Sequence, residues 1–123
     1  MKLPKQSAEV RDALVVYGYA LVASRRYEAA RALYSGMSVL FPEDRYVSVS
    51  LAVASLACGA SADALALADD LMAGASAEER RILDFVRGKA LFAAGRGEEA
   101  RDAFLRGLAP RASGEAPASR GAV

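Results

Sequence analysis

The chain has 123 residues, about one domain, and its 54% hydrophobic content places it among globular proteins with enough bulk to bury a core. A formal net charge of +1, with Lys and Arg scattered among Asp and Glu, excludes the basic stripe of a nucleic-acid footprint and argues against an anionic membrane surface as partner. With no histidine and one cysteine, there is no Ser-His or Cys-His pair to activate a nucleophile and no His/Cys set for zinc.

Alanine and leucine dominate, Trp, Thr and Asn are also absent, and the β-branched residues are mostly Val, so the composition points to an all-α fold. Cys58 cannot form an internal disulfide, which fits a reducing compartment. The N-terminal MKLPKQSAEVRD returns to charge too early for a signal peptide, and no run approaches the roughly 18 apolar residues of a membrane span. The expected location is the cytoplasm.

Taken in chain order, Ser7 followed by Ala8 and Glu9 reads as a helix start, with the Glu9 carboxylate near the positive end of the helix dipole. The first helix is expected over Ala8 to Ser24. Ser24-Arg25-Arg26 breaks it, and a second helix runs from Tyr27 to Leu40, ended by Phe41-Pro42 because proline lacks an amide hydrogen and disfavours helical geometry before it. Glu43-Asp44 suits the start of a third helix running to Ala57. Cys58-Gly59-Ala60 turns the chain, with Ser61 as N-cap of a fourth helix ending near Ala73-Gly74. Ser76-Ala77-Glu78-Glu79 is a capping box opening a fifth helix to Ala94, and after Gly95-Arg96-Gly97 a sixth covers Glu98 to Leu108. From residue 110 onward Pro, Gly, Ser and small residues follow without periodicity, so 1–109 is expected to be the helical domain and 110–123 a disordered tail.

These six helices fall into three units. Ala64 lies 34 residues after Ala30, and Ala100 lies 36 after Ala64, which places about two extra residues in the loop from Gly74 to Ser76. Leu14, Gly18, Leu21, Ala30, Tyr34 and Pro42 stand at the offsets of a tetratricopeptide (TPR) unit, which this stretch resembles. Gly88, Leu91, Ala100 and Phe104 repeat the pattern; the middle unit is degenerate, with Ala52 in place of Gly18 and Ala68 in place of Tyr34. The resemblance implies three helix–turn–helix units in a right-handed array, the smallest number that buries a continuous core.

In such arrays the first helices line a concave inner surface. By repeat register that surface is expected to carry Val15, Tyr19 and Val22, then Val49, Val53 and Leu56, then Phe85, Lys89 and Phe92. Nearly all are apolar, and large apolar surfaces mark interaction sites. The run from Leu14 to Val22 is apolar all round, which requires a second burying surface beyond the paired helix: a partner, another copy, the tail, or groove residues packing on each other. With Lys89 as the one basic residue, the surface suits an amphipathic helix or apolar strand rather than an acidic peptide.

Other constellations are weak. The carboxylate pairs Asp69-Asp70, Glu78-Glu79 and Glu98-Glu99 sit near helix ends, where solvation and dipole complementarity account for them. Gly95-Arg96-Gly97 lacks the ending and preceding strand of a phosphate loop. Nothing points to an enzyme, a cofactor or a metal.

The segments Leu14 to Asp44 and Gly88 to Leu108, in a chain this short, resemble the small TPR chaperones of bacterial type III secretion. The likeness is greatest to the Y-type export chaperone that pairs with the small X-type secreted protein, and next to the G-type needle-subunit chaperones. It implies a cytoplasmic protein that keeps a small helical secretion substrate soluble by burying its apolar helix, with self-association when that substrate is missing. The competing reading is a generic TPR scaffold joining two proteins.

Overall fold

The computed structural model describes residues 7–109. The expectation of a disordered segment over 110–123 lies outside them. The described chain is all-α, with six helices: α1 (Ser7–Ala23), α2 (Tyr27–Leu40), α3 (Arg45–Ala57), α4 (Ser61–Met72), α5 (Ala77–Ala93) and α6 (Gly97–Leu108). Connections of three or four residues turn each helix back along its predecessor. Each helix packs on the next, and α3 also packs on α5.

The turns inside the three pairs are copies of one another. After α1, α3 and α5 the residue in the left-handed region is Arg25 (φ 63°), Gly59 (φ 85°) and Gly95 (φ 80°), at the repeat spacing. In each, the next amide reaches back five residues to close the helix: Arg26 N to Leu21 O (2.8 Å), Ala60 N to Ser55 O (2.9 Å) and Arg96 N to Leu91 O (2.9 Å).

Inside the outer pairs, a glycine faces an aromatic ring sixteen residues later. A Cβ on Gly18 would lie 2.5 Å from Tyr34 Oη and 2.6 Å from Cζ, and one on Gly88 would lie 2.5 Å from Phe104 Cδ1. The middle pair has Ala52 and Ala68 at the same positions, both fully buried. Ring and missing Cβ are lost together there, so the degenerate unit keeps a complementary contact with different atoms.

The core runs the length of the stack. Leu21, Ala30, Tyr34 and Met37 of the first pair meet Val47 and Ala54 of α3. Val49, Ala64 and Ala68 meet Leu83 and Val86 of α5, and Leu91, Ala100 and Ala103 close the far end with Phe104 and Leu65. Polar clasps join the units at their rims. Arg11 of α1 donates to both carboxylate oxygens of Asp44 (2.7 and 3.1 Å), and Asp44 caps α3 by accepting from Val47 N (3.3 Å). Arg45, 34 residues after Arg11, donates to Glu79 Oε1 at 2.8 Å and to the terminal α4 carbonyl of Leu71 at 2.5 Å.

Two expectations about helix ends are corrected. Ser61 is the first residue of α4, and Ala60 occupies the cap position without a side-chain bond. The two extra residues of the third unit are not in the loop: the α4–α5 connection is as long as the α2–α3 connection, and α5 has 17 residues where α3 has 13. Ser76 Oγ accepts from Glu79 N (3.1 Å), starting α5 one turn early, and this brings the Glu79 carboxylate within reach of Arg45.

Candidate functional site

A cavity of about 320 Å³ opens on the face shared by the three first helices. Tyr19 and Val22 of α1 form one wall, Tyr46, Val49, Ser50 and Val53 of α3 the centre, and Glu79 and Ile82 of α5 the other wall; Tyr34 of α2 supplies the base. The volume is at the lower end of the roughly 300–1,000 Å³ of ligand clefts, which seats anchoring side chains of a partner rather than a whole element.

Four residues expected from repeat register meet in this cavity: Tyr19, Val22, Val49 and Val53. Tyr19 is 69% exposed, so its ring stands over the opening, whereas Val49 is buried in the wall. The other five are elsewhere. Val15 and Leu56 are half-buried and pack on the core. Phe85 packs on Phe104 in a tilted arrangement, centroids 5.9 Å apart, and carries the Lys89 ammonium 5.5 Å over its ring. Phe92, one heptad further along α5, is 71% exposed. Lys89 is thus held against its own helix and is not aimed into the cavity.

The cavity also uses residues that register counting passed over, chiefly Tyr46 and Ile82. They are equivalent to each other, 36 residues apart, and stand one turn before the positions counted as inner. The cavity crosses the helices obliquely, from the C-terminal half of α1 through α3 to the first turns of α5, so each helix contributes a different part of its length. A large apolar residue at both Tyr46 and Ile82 was the available signal.

Electrostatically the site is apolar with a few fixed polar groups. Burial pushes the Tyr34 hydroxyl above its ordinary pKa, the neighbouring Tyr46 adds to this, and a hydrogen bond with Ser50 offsets part of it. The Glu79 carboxylate at the edge is engaged by Arg45. Among the described residues no three His, Cys, Asp or Glu side chains stand close enough to hold a metal ion, and no helix is long and apolar enough to cross a membrane. No family model, curated protein or solved structure matches the chain.

Proposed function

We propose that this protein is a cytoplasmic, TPR-type chaperone that holds a small helical secretion substrate, of the kind handled by the Y-type and G-type chaperones of type III secretion, by seating apolar side chains of one substrate helix in the cavity on its first helices. The observation that carries the reading is that all three first helices contribute apolar walls to one open cavity whose rim residues, Tyr19, Tyr46 and Ile82, remain exposed. Exposed aromatic and aliphatic side chains around an apolar hollow are what anchors of a partner helix require. Binding would be burial alone, with no nucleotide used.

The test is co-expression with affinity capture and mass spectrometry, repeated with Tyr19→Ala and Ile82→Ala. The proposal expects a small helical export substrate that is lost with either substitution and retained with Glu99→Gln, a change on α6 far from the cavity. A captured partner that is not exported would favour the TPR scaffold reading. Capture indifferent to Tyr19 and Ile82 would remove the cavity from the mechanism.

A further inference from the structure

The repeat geometry reveals a second apolar surface, separate from the cavity. On α3, the stripe Val47, Ser50, Leu51 and Ala54 packs against α2: Val47 and Ala54 are buried with Tyr34 and Met37, and Leu51 packs on the same cluster. On α5 the equivalent stripe is Leu83, Val86, Arg87 and Ala90; Leu83 and Val86 are buried against Ala64 and Ala68 of α4, and Arg87 pairs with Asp69 there at 2.6 Å. The corresponding residues of α1 are Ala13, Val16, Tyr17 and Ala20. All four are exposed, Val16 at 67% and Tyr17 at 56%. The end unit of a stacked array ordinarily turns a polar face outward. Here the outer stripe has the apolar character of an internal junction.

We propose that this stripe is a self-complementary dimer interface, on which a second copy of the chain packs its own α1 antiparallel about a two-fold axis between Val16 and Tyr17. Antiparallel pairing about that point sets Ala13 opposite Ala20 of the other copy at both ends, leaving room for Val16 and Tyr17 to interdigitate at the centre. It also sets exposed Glu9 across from Ser24 of the other copy, next to exposed Arg25 in the turn after α1, twice by symmetry.

Arg25 is also unusual in its backbone. It holds a left-handed φ of 63° where Gly59 and Gly95 occupy the equivalent turns, so the chain keeps an arginine at a position that favours glycine. In the proposed dimer its charge lies near Glu9 of the other copy. A second helix from the far end of another copy, α6 with its exposed Leu105 and Leu108, is the competing occupant of the stripe. Head-to-tail packing of that kind would grow without closing.

Sedimentation equilibrium of the full chain over a range of concentrations tests the proposal. The expected result is a mass that rises from 12.9 kDa to twice that and stops. Val16→Arg, at an exposed site that leaves the fold intact by circular dichroism, should weaken dimerisation by about a hundredfold or more, as expected for a charge left unpaired in an interface core. Glu9→Lys should weaken it about tenfold, and adding Arg25→Glu should restore it. Arg25→Gly separates the two roles of that residue, raising the denaturation midpoint of the monomer while weakening the dimer. Tyr19→Ala should leave dimerisation unchanged. A monomer at every concentration, growth beyond a dimer, or a dimer abolished by Tyr19→Ala but indifferent to Val16→Arg would each overturn the interface.

Discussion

Gly18→Ala is the sharpest test of how the first helix pair is held together. In an open helix this change stabilises by about 1 kcal/mol, because glycine is the more costly residue to order. Here the added Cβ would fall 2.5–2.6 Å from Oη and Cζ of Tyr34. That ring is only 3% exposed and is packed in the cluster with Leu21, Met37 and Val47, so the overlap is relieved only by moving its tip toward the cavity it floors. Forcing a methyl group into such a core costs about 1–3 kcal/mol. Overlap therefore offsets or outweighs propensity, and the net effect expected is a loss of up to about 2 kcal/mol, or up to roughly 16 °C in Tm for a domain of this size. Urea denaturation followed by circular dichroism measures it. A double-mutant cycle assigns the cause, since Tyr34→Leu removes Cε1, Cζ and Oη, the atoms overlapped, while keeping apolar bulk. In that background Gly18→Ala should turn stabilising, as the buried Ala52 and Ala68 pair of the middle unit suggests. If Gly18→Ala raised the urea midpoint in the unmodified chain, or if Tyr34→Leu left its sign unchanged, the glycine would not be making room for the ring.

Ala30 is fully buried on α2, so Ala30→Leu should cost about 1–3 kcal/mol; an unchanged melting curve would show that the helices do not meet there. The Arg11 guanidinium holds the Asp44 carboxyl below the ordinary value of 3.8, so the clasp between α1 and α3 contributes stability above that range and loses it as pH falls through the lower folded-state value. Urea midpoints measured from pH 7 down to pH 3 should therefore drop less for Asp44→Asn than for the unmodified chain. In the cavity, Tyr19→Ala or Tyr46→Ala should each weaken partner binding by about 2 kcal/mol or more in calorimetry with little effect on the fold, whereas Glu99→Gln should cost little. Phe85→Ala is a poorer probe of binding, because it also removes the ring contact with Phe104 and should lower stability.

The sequence by itself determined the elements and their repeat. Helix ends follow from local chemistry: Ser76 and Asp44 cap through their own side chains, and Gly59 and Gly95 supply left-handed turns, all within a few residues of the chain. The constant spacing of Gly18 to Tyr34 and of Gly88 to Phe104 was legible as part of the repeat, but that each glycine makes room for that ring was decided by the packing of the two helices. Tertiary structure alone decided which apolar residues share a cavity. Counting repeats treats every unit as lying at the same height, but the cavity crosses α1, α3 and α5 obliquely, so Tyr46 and Ile82 enter it while Phe85 and Phe92 do not. That offset depends on contacts between residues about 34 apart, such as Arg45 with Glu79, where each unit's position is set by the side chains of its neighbour. For the same reason the outer stripe of α1 reads as core in one dimension. Only the stack shows Val16 and Tyr17 exposed, because burial is a property of what packs against a helix and not of the helix itself.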